Sequence, residues 1–193
     1  MNIITGFKNL LFNQKAFFAD APKGFLVPVL ITLIYAVVAV IASLPALTPT
    51  LNTVGELAGF VIGVTVVSTI IVIFATWIIV SLIFFACVKV IGYAKCSFKE
   101  MLRVISYPAV ILTISSVITG LITLIGTPNA IATLILSGAF LVWTIPIWVF
   151  GIQSITEMEV KKIVKCIAAP VIIMIIITIV STVMAMSATV PAV

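Results

Sequence analysis

The stretch that decides the fold is VISYPAVILTISSVITGLITLIGTPNAIATLILSGAFLVWTIPIWVFGIQSIT, residues 104–156, which contains no Asp, Glu, Lys or Arg. An apolar helix of about 20 residues crosses a hydrocarbon core about 30 Å thick. This stretch is long enough for two crossings, and the turn formers Gly126-Thr127-Pro128-Asn129 lie near its middle. We therefore predict spans at residues 104–125 and 130–151. Gly126 is expected to end one helix, and Asn129 to cap the next.

The rest of the chain has the same apolar character. Charged residues make up 8% and apolar residues 64% of it, with a mean hydropathy of +1.47, whereas soluble domains are roughly a quarter charged. Further spans are predicted at residues 24–43, 67–88 and 167–186. Residues 58–66 are either part of the second span or a lead-in to it. A loop with Pro45 and Pro49 is expected over Leu44–Leu57, so the prediction is an all-α, polytopic bundle of five transmembrane helices.

All ten basic residues fall on one side of this five-span arrangement. They occur before the first span, between the second and third, and between the fourth and fifth: Lys8, Lys15, Lys23, Lys89, Lys95, Lys99, Arg103, Lys161, Lys162 and Lys165. Basic residues stay on the cytoplasmic side during insertion. The pattern predicts a multi-pass protein of the cell membrane, with its N-terminus inside and its C-terminus outside.

Short amphipathic helices are expected on the inner face, next to the spans. Residues 1–23 are predicted to form an interfacial segment, separate from the transmembrane domain of residues 24–193. The sequences Ser97-Phe98-Lys99-Glu100 and Thr156-Glu157-Met158-Glu159 both fit a capping box, which predicts helix starts near Ser97 and Thr156. Pro108 and Pro170 follow at similar spacing and are expected to bend the chain, so the two loops suggest a weak internal repeat.

Several classes of function are disfavoured by what the chain lacks. It has no histidine, and no acidic residue falls within a predicted span. Phosphate-binding glycine loops, nucleophile elbows and metal-spaced cysteine pairs are also missing from the sequence. We therefore predict no catalytic residue, no metal site, no cofactor and no nucleic-acid partner. Cys87, Cys96 and Cys166 are interpreted as free thiols.

The candidate binding residues lie on the basic inner face, which suits anionic lipid or a protein partner. They are Lys8, Lys15, Lys95, Lys99, Arg103, Lys161, Lys162 and Lys165. A homodimer is an alternative, since residues 59–63 form a GxxxG motif. Trp143 and Trp148 are expected to be interfacial anchors.

Hydroxyl-bearing residues inside the spans allow two interpretations. Thr113, Ser116 and Thr123 form a stripe on the third span, and Gln153 follows the fourth. Small residues of this kind usually let helices pack closely, and this interpretation is favoured. They could instead line a transporter, channel or lipid pathway.

Three stretches resemble the Yip-one (Ypt-interacting protein) domain family, in its prokaryotic branch. Residues 10–18 end in paired phenylalanines, residues 91–108 contain a Ser-Phe cap and a Tyr-Pro pair, and residues 143–151 with 157–165 are similar to the family's last hairpin. The Asp-Leu-Tyr-Gly-Pro motif of the eukaryotic members is absent, so the resemblance does not extend to their association with Rab GTPases. It implies five spans and a non-enzymatic integral membrane protein that acts through membrane organisation or partner binding. With the basic inner face, this favours a membrane scaffold or adaptor. An accessory subunit of a larger membrane complex is a further alternative.

Overall fold

The computed structural model describes residues 2–126 and 130–188, and every regular element within those ranges is helical. The all-α prediction is therefore confirmed. The helices are α1 (Ile3–Phe12), α2 (Gln14–Ala19), α3 (Leu26–Val54), α4 (Ala58–Val90), α5 (Phe98–Ser106), α6 (Ala109–Ile125), α7 (Ala130–Thr156) and α8 (Val160–Ala188).

Four stretches of the described chain are long and apolar enough to cross a membrane: Leu26–Thr48, Leu51–Val90, Phe98–Ile125 and Ile135–Thr156. They overlap the first four predicted spans. Residues 58–66 belong to α4 and are continuous with the second span. The fifth predicted span, residues 167–186, lies within α8, but the side chains of 177–179 and 181–186 are outside the described part. Residues 127–129 of the predicted turn also lie outside it.

The connection between α3 and α4 is shorter than the sequence suggested. The loop predicted over Leu44–Leu57 is wrong: α3 continues through Pro45 and Pro49 to Val54, and one 3₁₀ turn over Gly55–Leu57 leads into α4. A proline removes one backbone donor and can bend a helix, but membrane helices tolerate it. The helix ends instead at Gly55, whose φ of 54° favours glycine.

The first inner loop has the predicted capping box. The Ser97 side chain accepts a hydrogen bond from the Glu100 N–H at 3.3 Å, and the Ser97 N–H donates to Glu100 Oε2 at 2.8 Å. Helix α5 starts directly after this cap and buries Met101 and Ile105. The predicted interruption near Pro108 is also confirmed, because α5 ends at Ser106 and α6 begins at Ala109.

The second inner loop differs from the first, and the helix start predicted near Thr156 is wrong. Helix α7 ends at this residue, whose hydroxyl donates to the Ile152 carbonyl at 2.7 Å within α7. Glu157 then has a φ of 56° and its N–H donates to the Gln153 carbonyl at 3.0 Å, a left-handed helix ending. Helix α8 starts at Val160 and runs through Pro170. The two loops therefore provide no support for an internal repeat.

The N-terminal helices pack onto the bundle through their apolar side chains. Leu10, Leu11, Phe17 and Phe18 are buried in one cluster with Tyr107. The ring of Phe18 meets the ring of Tyr107 edge to face, with centroids 5.4 Å apart. These contacts place α2 beside the junction of α5 and α6.

The two tryptophans of α7 have different environments. Trp143 is half-buried and donates its Nε1–H to the Leu11 carbonyl at 3.1 Å, which ties α1 to α7. Trp148 is only 4% exposed and packs against Phe84 in the core. The expectation that Trp148 is an interfacial anchor is therefore wrong, because neighbouring helices cover its ring.

Candidate anion-binding cleft

Two adjoining cavities lie at one end of the bundle, where α2, the 91–97 connection and the 157–159 connection meet. The larger has a volume of about 650 Å³, and its lining includes Lys23, Lys95, Arg103 and Lys162. The smaller has a volume of about 410 Å³ and includes Lys15, Lys23, Arg103 and Gln153. They share Lys23, Arg103 and Ser154. We call the two cavities together the basic cleft, and this end of the bundle the basic end.

Close backbone approaches at two glycines bring the walls of the basic cleft together. A Cβ on Gly92 would meet the Val88 carbonyl oxygen, and would lie 2.8 Å from Met158 Cε. The 91–97 connection can therefore lie against the 157–159 connection. A Cβ on Gly151 would meet Val104 Cγ1, and would lie 3.0 Å from Phe18 Cζ. This glycine lets α2 and α5 both contact α7.

The basic cleft carries more positive than negative charge. Five basic side chains line it, against the carboxylates of Glu100 and Glu157. Glu100 Oε2 already accepts hydrogen bonds from the N–H and the hydroxyl of Ser97, both at 2.8 Å. Lys23, Lys95 and Lys162 are exposed, whereas Arg103 is half-buried where the two cavities join. Ammonium and guanidinium groups arranged in this way suit a phosphate or carboxylate ligand.

The structure divides the predicted binding residues into two groups. Lys15, Lys95, Arg103, Lys162 and Gln153 line the basic cleft. The remaining four do not line it and are exposed: Lys8, Lys99, Lys161 and Lys165.

Two cleft residues are missing from the predicted set. Lys23 and Ser154 line both cavities. The charge pattern marks Lys23 only as a topology signal, and no sequence pattern marks Ser154. Lys99 was predicted but instead lies over the Phe25 ring, with its Nζ 5.9 Å from the centroid.

The hydroxyl stripe of the third span lies elsewhere, on α6. Thr113 donates to the Ala109 carbonyl at 2.7 Å, and Thr123 donates to the Thr119 carbonyl at 2.9 Å. The Ser116 side chain lies close to the Tyr35 side chain on α3. Nearby, a Cβ on Gly120 would lie 3.1 Å from Ala42 Cβ. The stripe thus faces a close contact between α3 and α6, as the packing interpretation expects.

The cysteines are all free thiols, as predicted. Cys96, which lies in the 91–97 connection, is buried. Burial raises the pKa of its thiol above the ordinary value, the positive charge of Lys89 opposes this shift, and the Glu100 carboxylate adds to it. A thiol with a raised pKa is a poor nucleophile at neutral pH. No group of His, Cys, Asp and Glu that could hold a metal ion is found among the residues that the structure describes.

Comparison with known proteins gives one match. The family model described as the Yip1 domain matches residues 8–182. Neither the curated proteins nor the solved structures contain a significant match to this chain.

Proposed function

This chain belongs to the Yip1 domain family, and on that premise we propose that it is a membrane scaffold or adaptor whose basic cleft binds the headgroups of anionic lipids. The family consists of membrane proteins that are not known as enzymes, and four long apolar helices fit a multi-pass protein. A scaffold of this type needs a site that recognises the membrane or a partner, and the basic cleft is the best candidate.

The observation that carries the proposal is the meeting of basic side chains from three separate segments. Lys23 comes from the N-terminal region, Lys95 and Arg103 from the first inner loop and α5, and Lys162 from the start of α8. Basic residues that serve only as topology signals need to lie on the correct side of the membrane, but they do not need to lie close to one another. Their arrangement around shared cavities is an additional property, and it supports a bound anion.

Anionic lipid is favoured over an acidic protein because of where the basic cleft lies. The long apolar helices begin or end within a few residues of its lining: α3 begins at Leu26 and α7 ends at Thr156. A site at the ends of membrane helices lies at the depth of lipid headgroups. The half-buried Arg103 can form paired hydrogen bonds with a phosphate, as a guanidinium characteristically does.

The proposal includes the orientation and the fifth span. The N-terminus and the basic end lie inside, α8 crosses the membrane, and the C-terminus lies outside. The location of all ten basic residues before α3, from the end of α4 through α5, or at the start of α8 supports this arrangement. Membrane proteins insert in the orientation that keeps such residues on the cytoplasmic side.

Cysteine accessibility in intact cells tests this topology. In a variant with Cys87, Cys96 and Cys166 replaced by Ala, single cysteines are introduced by Glu56→Cys, Lys99→Cys and Ala188→Cys. We expect a membrane-impermeant maleimide to label positions 56 and 188, and to label position 99 only after the cells are opened. Labelling of position 99 in intact cells would contradict the orientation. Protection of position 188 until the cells are opened would mean that α8 does not cross.

Lipid selectivity and salt dependence test the function itself. The full chain in a neutral detergent is titrated with short-chain phosphatidylglycerol or short-chain phosphatidylcholine, and binding is followed by calorimetry. We expect saturable binding of the anionic lipid that is much tighter than any binding of the zwitterionic lipid, because the zwitterionic headgroup carries its own positive charge. Raising the salt from about 0.1 M to about 1 M shortens the screening length from about 10 Å to about 3 Å, so binding should weaken. Equal binding of both lipids, or binding that salt does not change, would refute the proposal.

A further inference from the structure

A separate cavity lies inside the helical bundle, and its position within the apolar helices distinguishes it from the basic cleft. Its volume is about 340 Å³, and its lining comes from α3, α4, α5, α6, α7, α8 and the junction of α5 with α6. Thr32 on α3, Trp77 on α4, Ser106 on α5 and Trp148 on α7 are part of this lining. The volume is within the range of small-molecule sites, at its lower end.

Most polar side chains around this cavity already have hydrogen-bond acceptors. The Thr32 hydroxyl donates to the Pro28 carbonyl at 3.0 Å, and the Thr144 hydroxyl donates to the Leu141 carbonyl at 2.6 Å. Ser106 donates to the Arg103 carbonyl at 2.8 Å, and Trp77 Nε1 donates to the Leu102 carbonyl at 2.9 Å. These groups therefore have no donor left for a ligand.

Trp148 is different, because its buried Nε1–H has no acceptor within the described part of the chain. The residue is 4% exposed and lines the cavity. Buried donors in folded proteins are nearly always paired, so an unpaired one beside a cavity indicates a missing acceptor. Among the described side chains that line this cavity, Trp148 is the one with a buried unpaired donor.

A water molecule does not account well for this site. Water in a protein interior needs two to four polar partners, and large cavities with apolar walls remain dry. The described lining offers one free buried donor within largely apolar walls, and the hydroxyls of Thr32, Ser106 and Thr144 add acceptor oxygens but no further donor. An apolar ligand that carries one acceptor suits it better.

The surroundings of the cavity identify the class of that ligand. Thr32 is six residues from the start of α3, and Trp148 is eight residues from the end of α7. At 1.5 Å per residue, these positions lie about 9 Å and 12 Å inside the helix ends. Val72 and Thr76 on α4 line the cavity and are exposed, so the surrounding lipid can reach its rim. We propose that the cavity holds the upper part of an acyl chain of a membrane lipid, with the ester carbonyl of that chain accepting the Trp148 Nε1–H hydrogen bond.

Quenching by a brominated acyl chain tests the presence of the chain. The full protein with Trp77→Phe and Trp143→Phe, which leaves Trp148 as its one tryptophan, is reconstituted in phosphatidylcholine brominated near the ester end of one chain. Other helices cover the Trp148 ring, so lipid around the bundle should quench it only weakly. We expect strong quenching because the brominated chain lies inside the cavity. Ala109→Leu adds volume to the cavity wall, and in the same background it should remove most of this quenching. Trp148 emission that is unaffected by bromine, or equally quenched in both proteins, would overturn the proposal.

The carbonyl is tested by comparing ester-linked and ether-linked phosphatidylcholine. The Raman band that reports indole N–H hydrogen bonding is measured for Trp148 in the same protein. We expect a bonded N–H in the ester lipid and loss of that bond in the ether lipid, which lacks the carbonyl. The same band position in both lipids would indicate water or another acceptor and would overturn the proposal. Both lipids are zwitterionic, so neither result depends on anion binding in the basic cleft.

Discussion

A variant with Lys23→Gln, Lys95→Gln and Lys162→Gln should bind short-chain phosphatidylglycerol roughly 100-fold more weakly than the unmodified protein. Each basic residue near an anionic headgroup contributes about 1 kcal/mol, so three contribute about 3 kcal/mol, which corresponds to that factor. All three side chains line the basic cleft and are exposed. Their replacement by a neutral side chain of similar length should leave the helices intact. Calorimetric titration in detergent at low salt measures the change.

The chain offers a closely matched control for this variant. Lys8→Gln, Lys99→Gln and Lys161→Gln remove one charge from each of the same three segments, at exposed positions that do not line the basic cleft. The net charge and the number of topology signals in each segment are then equal in both variants. We expect the control to bind within a few-fold of the unmodified protein. Equal loss in both would mean that only total charge matters, and that the basic cleft has no special role.

Gly151→Ala should destabilise the protein by about 1–3 kcal/mol, the usual cost of overpacking. The added Cβ would meet Val104 Cγ1 and lie 3.0 Å from Phe18 Cζ. Val104 is fully buried and β-branched, so it has little freedom to move away. Because Phe18 also lines the basic cleft, its displacement should weaken lipid binding as well. Unfolding in mixed detergent measures the stability, and the titration above measures binding.

Gly138→Ala in the same helix is the control for this prediction. A Cβ at Gly138 would have no neighbour within 4 Å among the residues that the structure describes. Alanine is favoured over glycine in a helix by up to about 1 kcal/mol, so this substitution should leave the stability unchanged or raise it. If Gly138→Ala destabilised the protein as much as Gly151→Ala, the effect would come from the backbone of α7. It would then not come from the contact of α2 and α5 with α7.

The elements that sequence predicted well are those set by local or compositional signals. The capping box at Ser97 needs only the residues from Ser97 to Glu100, and the interruption at Pro108 follows from its missing backbone donor. The apolar runs are long enough that four candidate membrane-spanning helices, which overlap the first four predicted spans, follow from length and composition.

The incorrect predictions concern places where several local signals compete. Thr156 has the sequence of a helix start, yet its hydroxyl bonds back to Ile152 and Glu157 closes α7 in a left-handed conformation. A glutamate is rare in that conformation, so residue type does not predict a helix ending at Glu157. Pro45 indicated a loop, whereas α3 runs past it to end at Gly55.

The basic cleft was only partly predictable, because contacts between distant segments form it. Charge patterning predicts that Lys15, Lys95, Arg103 and Lys162 share one side of the membrane. It does not show that Lys23 and Arg103 line the same cavities, nor that Lys8 is not part of the basic cleft. The close approaches at Gly92 and Gly151 bring these segments together, and no periodic pattern in the sequence reports such approaches.

The most direct test of lipid recognition by the basic cleft is photocrosslinking in a bilayer. The full chain is reconstituted in nanodiscs that contain a small amount of phosphatidylglycerol with a photoreactive headgroup, and mass spectrometry maps the labelled peptides. We expect labelling within residues 15–23, 95–103 and 153–162, and we expect unlabelled phosphatidylglycerol to reduce it, whereas phosphatidylcholine should not. Labelling spread evenly over the exposed lysines, including Lys8 and Lys165, or labelling that phosphatidylcholine removes equally well, would contradict lipid recognition by the basic cleft.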